Sequence, residues 1–512
     1  MGHCVRRLGI VACLVVPSRL GAQLPPLGVP AGTLRVELDG SLETFDRRFR
    51  EGQRESIAAD LSSTALGSDR IPSLADAEAR ISRIIGNAGY RINLGALTTD
   101  AHADVGTGSL GLSLGLTNYI AIFGRIPLVR TRVQSLMQLD PSLANAGLNP
   151  GVDEQLSFFT QLDAALATLN AKLAAGDYDA NPSQKALAQT TLADGTALRG
   201  DLFGLLADPA TASPALPTTT SPAGTALDGR VVTLQATLSS DLGVTGFSLT
   251  PALPETALTK AELDELLTSP TGLALRLDES SVTFRGDAEL GAALTLIDRW
   301  DRGTRRGGFR SALSGLVRLP TGRREQPDRP LDIGTGDGQT DIQLDVVTDV
   351  GSGPLGARLI GTYVRQLPSD ILTRVTRPSQ PFAGPDRLTT VRRNPGDIFV
   401  LGIHPFYRLA RTFGFSAGVE HWSRGVDRVT YASPTDSIPG IDPGILAEES
   451  KSSATMLSVG VTYSNAGGLR PGGKGLPVDA SWSYQRVLRA GGGRVPDSHA
   501  VRGKFRVYFG IW

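Results

Sequence analysis

The chain has 512 residues, 51 basic against 51 acidic side chains, 60 glycines and 2 cysteines. Balanced charge, with no basic run broken by aromatics, argues against a polyanion as the main partner, so no nucleic acid is expected. Both cysteines, Cys4 and Cys13, lie in the first stretch, leaving the rest without disulfides, thiolate metal sites or cysteine nucleophiles.

That first stretch reads as a secretory leader over residues 1–22. Arg6 and Arg7 form its positive start and Leu8 to Val16 its apolar centre, with cleavage expected after Gly21-Ala22. Ile10-Val11-Ala12-Cys13 only loosely matches a lipidation box. Beyond the leader, no window approaches the ~18 to 20 apolar residues of a spanning helix. An exported chain of this kind is periplasmic, secreted or a β-barrel.

Leu34, Val36 and Leu38 alternate with Arg35, Glu37 and Asp39, which predicts a first strand over Thr33 to Phe45. A short helix is expected from Ser73 to Ile85. Tyr90, Ile92, Leu94 and Ala96 share an even phase with Leu110, Leu112, Leu114 and Leu116 across a polar middle, so one long second strand is read over Tyr90 to Leu116. After a turn at Thr117-Asn118, a third strand runs from Tyr119 to Gln134. Pro127 within it calls for an edge or a bulge.

From about Pro141 to Thr271 the period changes. Leu156, Phe159, Leu162, Leu166, Leu169 and Leu173 recur at helical spacing, and Pro209 to Pro222 is a connector. Thr259 with Glu262 forms a capping box that opens Lys260 to Leu267. Alternation then resumes. In the fourth strand Val282, Phe284, Ala288, Leu290, Ala292, Leu294 and Leu296 are read on one face and Thr283, Arg285, Asp287 and Glu289 on the other. Further strands are expected over Phe309 to Leu319, Ile342 to Val350, Ala357 to Leu367, Ile398 to Leu409, Phe413 to Arg424, Met456 to Tyr463, Val478 to Leu488 and Val501 to Trp512.

Short links at Thr117-Asn118, Ser352 to Pro354, Arg411-Thr412 and Gly467 to Gly475 alternate with long polar ones such as Arg323 to Thr340, Ser369 to Gly396 and Ser433 to Ser453. An even strand count with alternating short and long links is the pattern of an outer-membrane barrel. The fold expected is therefore an all-β transmembrane antiparallel β-barrel of about twelve strands, with fourteen as the alternative. Residues 23–139 hold strands one to three, 140–272 a mainly helical insertion in an external loop, and 273–512 strands four to twelve.

The closing run Phe505 to Trp512, the Gly115 to Asn118 turn leading into Ile126-Pro127-Leu128, and Leu319-Pro320-Thr321-Gly322 followed by Asp332 to Asp341 resemble a Gram-negative outer-membrane β-barrel protein. Within that class they are similar to solute-transport barrels of the phenol-degradation-pathway and fatty-acid-transporter type. One departure is that such families put the final aromatic on the lipid-facing phase, whereas Trp512 falls on the phase opposite Phe505, Val507, Phe509 and Ile511. The resemblance implies assembly by the outer-membrane insertion machinery, outer-membrane lipid as surroundings and no cofactor.

If the apolar phases face lipid, the lumen is lined by Arg285, Asp287, Glu289, Arg310, Arg318, Asp345, Asp349, Arg358, His404, Arg408, Glu420, Arg424, Asp479, Gln485 and Arg506. These either form a selective constriction or pair across strands and fill the interior. His421 and Ser423 share one strand face, the spacing a base and a serine nucleophile need. The pair is similar to the His-x-Ser motif of outer-membrane phospholipases and lipid A deacylases, but Arg424 stands where that motif has Asn. The blander alternative is a pair of interface residues beside a belt tryptophan, Trp422. Asp332, Asp337 and Asp341 offer oxygens to calcium without a regular ligand spacing, and a Gly-rich turn explains them equally. The function expected is a passive channel or transporter for a small-molecule solute. The alternatives are a lipid hydrolase at His421 and Ser423, or a structural or surface-interaction barrel without transport.

Overall fold

The computed structural model describes residues 28–301, 307–410, 412–465 and 477–511, with two short paired segments at Gly2–His3 and Cys13–Leu14. Most of the expected leader, Arg411, the Gly467 to Gly475 link and Trp512 lie outside the described residues.

Twelve antiparallel staves close into one barrel. They are β1 (Thr33–Phe45), β2 (Ala96–Gly115), β3 (Ile120–Asp140), β4 in two pieces (Ser280–Arg285 and Ala288–Asp301), β5 (Gly307–Leu319) and β6 (Asp341–Ser352). The other half is β7 (Leu355–Gln366), β8 (Ile398–Arg408), β9 (Phe413–Arg424), β10 (Ser452–Ser464), β11 (Val478–Gly491) and β12 (His499–Gly510). Each stave pairs with the next in the chain, and β12 closes on β1 with Phe505 opposite Leu38 and Arg506 opposite Glu37.

The barrel is apolar outside and polar inside. On the outer face Leu38, Ile126 and Leu401 are 54%, 64% and 69% exposed, while inward Arg310 and Asp349 are 1% and 0% exposed. Such a surface is stable only where hydrocarbon replaces water, and full closure satisfies every strand edge that lipid would leave unpaired. The closing strand follows this rule, with Phe505 and Phe509 outward and Tyr508 buried. No helix among the described residues is long and apolar enough to cross a membrane.

Two staves are taller than the rest. β2 has 20 residues and β3 has 21, paired end to end from Ala96↔Asp140 to Gly115↔Ala121. A tilted strand needs only about 9 to 11 residues to cross, so their external halves stand clear of the apolar band. There the outward residues turn polar, as at Asp100, His102, Arg130 and Gln134.

The inner faces of these tall halves carry a helical cap. Ala103, Val105, Val129 and Val133 share one apolar core with α1 (Ala75–Ile85), α2 (Val152–Ala175), α3 (Pro182–Leu206), α4 (Pro222–Ala236) and α5 (Lys260–Thr268). The predicted stripe of α2 buries Phe159, Leu162, Leu166 and Leu169, while Leu156 stays exposed and Phe158 is buried instead. Helices α2 and α3 lie antiparallel, with Phe159 stacked edge-on to Phe203 at 5.6 Å and Arg199 bonded to Asp163 at 2.9 Å. Gly195 lets Leu166 pass close to α3, since a Cβ there would collide with it. Asn181 caps α3, and the Thr259–Glu262 capping box opens α5 as expected. The expected Pro209 to Pro222 connector holds a short strand, Ala215–Pro217, paired with Ala146–Leu148.

Two expectations about strands are corrected. The second strand begins at Ala96 rather than Tyr90. Tyr90, Ile92 and Leu94 are extended but buried under the cap, where Leu94 donates to the Leu66 carbonyl at 2.8 Å. Gly95, with φ at +114°, turns the chain into the wall. The fourth strand is broken at Gly286-Asp287, where four steps from Arg285 to Glu289 match three from Leu128 to Arg125. That one-residue bulge reverses the phase. Gly286 donates to the carbonyl of Pro127 at 2.8 Å, so the proline sits opposite the bulge it required.

Candidate functional site

The inward phase of the staves defines the site. At the end where short turns join the staves, Arg310 and Arg358 flank Asp349, each with Nε at 2.8 Å from the carboxylate. Trp300 lies under both Arg310 and Arg408, at 5.1 and 5.4 Å, and Arg408 donates to the Gly353 carbonyl. Directly opposite Arg358 on the next stave, His404 places Nε2 2.9 Å from Glu420, both 2% exposed. His404 lies flat over Gly418, where a Cβ would collide with its ring. Asp345 accepts from Thr362 at 2.7 Å and Gln343 at 2.8 Å. Asp479 accepts from Ser464 and Tyr508, and Gln485 points its amide at the Met456 sulfur, 3.3 Å away.

At the external end, Glu289 is shared by Arg125 and Arg318, and Arg318 also holds Asp341 at 2.8 Å. Asp427 joins Arg393 and Arg424 at 2.9 and 2.8 Å. The β5–β6 connection folds inward against the β4 bulge. Gly322 donates to Asp287 at 2.8 Å, and Thr335 donates to the Arg285 carbonyl at 2.8 Å. Leu331 and Ile333 of this connection join the cap's core.

Thus Asp287, Glu289, Arg310, Arg318, Asp345, Asp349, Arg358, His404, Arg408, Glu420, Arg424, Asp479 and Gln485 are buried on the inward side, and Arg506 bonds Glu37 there. Arg285 is placed elsewhere. It stands opposite Leu128, which is 57% exposed, so the bulge turns it to the outer face. Reading the same phase rule over the earlier strands would have added Arg35, Glu37, Asp39 and Arg125. Lys504 completes that group, 3.4 and 3.0 Å from Glu37 and Asp39.

On one side of the interior the lining is apolar. Val364, Ile398, Val400, Trp422, Ala454, Met456 and Val487, from five successive staves, form a patch near the external end. Phe49 and Val495 from two external loops pack onto it. Trp422 is only 3% exposed and faces this patch, so it is no belt tryptophan on the outer surface. Above the patch, Asp60 receives Arg48 at 2.5 Å, Arg50 at 3.1 Å and Arg494 at 2.6 Å, and Glu449 bridges Arg50 and Arg494. Burial alone would raise the Glu449 carboxyl, but the hydrogen bonds and charge of Arg50 and Arg494 outweigh it and hold the group below its usual range. Burial pushes the Arg494 guanidinium down to about 10, against the pull of Asp60 and Glu449.

The other candidates do not assemble a site. His421 and Ser423 lie on the outer face, and the His421 ring bonds the Thr455 hydroxyl at 3.0 Å rather than an orienting carboxylate. Asp332 accepts from Arg323, Gln326 and Gly334, Asp341 from Arg318, and Asp337 from Gln339. Burial raises the Asp337 carboxyl above its usual range. Among the described residues no group of three His, Cys, Asp or Glu is arranged to hold a metal ion. Outside the wall, a cleft of about 780 Å³ is lined by Asp46, Arg47, Arg54, Asp100 and His102 among others, a mixture that selects no single ligand class.

No family model matches the chain, and no curated protein matches it. Among solved structures it is similar to an outer membrane channel from Pseudomonas putida F1, at 11% identity and a TM-score of 0.42, covering 94% of this chain and 97% of that one. It is also similar to a Pseudomonas aeruginosa FadL homologue, at 8% identity and 0.28 over 94% and 91%. The P. putida toluene transporter TodX matches at 10% identity and 0.23, over 94% and 91%.

Proposed function

We propose that this outer-membrane-type barrel passes small solutes across the membrane passively, and that solutes with an apolar body use the inner patch. The observation that carries this reading is the patch itself, from Val364 to Val487 on five staves, in a lumen that also carries the paired charges. A barrel wall that served only as an anchor has no need of apolar side chains on its inner face, since lipid is on the other side. The inward charges flanking the patch are buried in pairs, so the resting interior is closed at their level and passage requires part of the filling to move aside.

Reconstitution into vesicles tests this. Swelling in small uncharged solutes above that of protein-free vesicles is expected, and equal swelling would instead favour a structural barrel. The hydrolase alternative receives no support from the Thr455 bond to His421.

A further inference from the structure

We propose that the short sheet carrying Phe49 and Val495 is a built-in plug seated in the apolar patch, and that the ion cluster around Asp60 is its latch. The proposal rests on the transport reading above and concerns what keeps that route shut.

The sheet consists of Arg47–Arg50, Gln53–Ser56 and Arg494–Pro496, with Phe49 opposite Val495 and Arg50 opposite Arg494. Its period of two divides it into unlike faces. Phe49 and Val495 point one way, into the patch, and are 5% and 2% exposed, while Arg54 on the same face lies over the Phe49 ring at 5.1 Å and pairs with Asp497 at 3.0 Å. Arg48, Arg50 and Arg494 point the other way, onto Asp60, Glu55 and Glu449. The apolar face is what a solute would have to replace, and the cationic face is what holds it in place.

The latch joins parts of the chain far apart in sequence. Arg48, Arg50, Glu55 and Asp60 belong to the β1–β2 connection, Glu449 to the β9–β10 connection and Arg494 to the β11–β12 connection. Asp60 is fully buried and is the shared partner of all three arginines. A set of buried charges is held only while complete, because removing one member leaves the others desolvated and unpaired. A sheet of three strands with 4, 4 and 3 residues has too little surface to stand alone. Once unlatched it leaves the patch as a unit, and the surface it uncovers is one that takes any apolar body of similar size.

The test uses the full chain in planar bilayers and vesicles, with potassium chloride as the conducted ion, beside Asp60→Asn and Phe49→Ala. Asp60→Asn breaks the latch, and Phe49→Ala leaves the latch intact but shortens the plug. Both are expected to raise mean conductance by about tenfold or more, the shift expected when a mostly closed equilibrium loses its closing contact. Asp60→Asn is also expected to speed amide exchange across residues 47–56 and 494–496. Faster exchange with wild-type conductance in both variants overturns the plug, and unchanged exchange in Asp60→Asn overturns the latch, while either leaves the transport reading, which wild-type swelling carries separately. If Asp60→Asn no longer folds, Phe49→Ala decides, and wild-type conductance there overturns the plug. Vesicles that neither swell nor conduct with any of the three proteins overturn both readings.

Discussion

Asp349 shows how single residues hold the lumen. It lies between Arg310 and Arg358 with no exposed surface, so Asp349→Ala removes the carboxylate that two buried cations share. Unfolding in urea is expected to show a loss of about 3 to 5 kcal/mol, the cost of breaking a buried pair by removing one partner. A loss below 1 kcal/mol would mean that the site relaxes around the gap. Glu449 gives a pH dependence. Its carboxyl is held low in the folded protein, so its contribution is present above the unfolded value near ~4.3 and is lost as pH falls through the folded value. Amide exchange around residues 447–452 should therefore quicken only below about pH 4, and no change down to full protonation would contradict the assignment. At this scale the sequence was legible by phase. It showed which charges face inward wherever the strand runs unbroken, as for Glu289 and Asp349, and misplaced Arg285 because a bulge one residue away reverses the alternation without leaving a mark in composition.

Among the elements, β4 is the most informative. Its bulge keeps Leu290 and Leu294 in the apolar band while Ser280 reaches the in-folded loop at Asp332. Deleting Gly286 would match three steps to three and remove the bulge, leaving Ser281, Thr283 and Arg285 on the outer face and Asp287 and Glu289 on the inner one. The expected outcome is that the heat-modifiable mobility of the assembled barrel is kept, and its loss would show that the bulge itself is required at Pro127. The twelve staves themselves were legible because alternation and link length agree independently. Two elements were not. Tyr90 to Leu94 shares the phase of β2 by coincidence, since an extended segment under a cap needs no alternation. Helix α3 packs its first half through Ala188, Thr191 and Gly195, small residues that blur the 3.6-residue signal.

For the whole molecule, the inverted distribution of polarity can be tested with light. Trp482 is 50% exposed on the outer face and Trp422 is 3% exposed on the inner one. In vesicles of brominated lipid, a variant keeping only Trp482 should be strongly quenched and one keeping only Trp422 should not. Equal quenching would reverse the facing of every stave. The function was less legible than the fold. The sequence displays the inner charges, but the patch is spread over Val364, Ile398, Val400, Trp422, Ala454, Met456 and Val487, residues that come together only when five staves lie side by side.

The cap's core also sets an order of events in the making of the protein. Four of its five helices, α2 to α5, lie between the third and fourth staves and α1 between the first and second, yet the same core includes Leu331 and Ile333 from between the fifth and sixth and Phe382 from between the seventh and eighth. The helices alone therefore leave that core incomplete until those two connections pack onto it. The cap's core is thus complete only with Phe382, more than a hundred residues beyond the end of its last helix at Thr268.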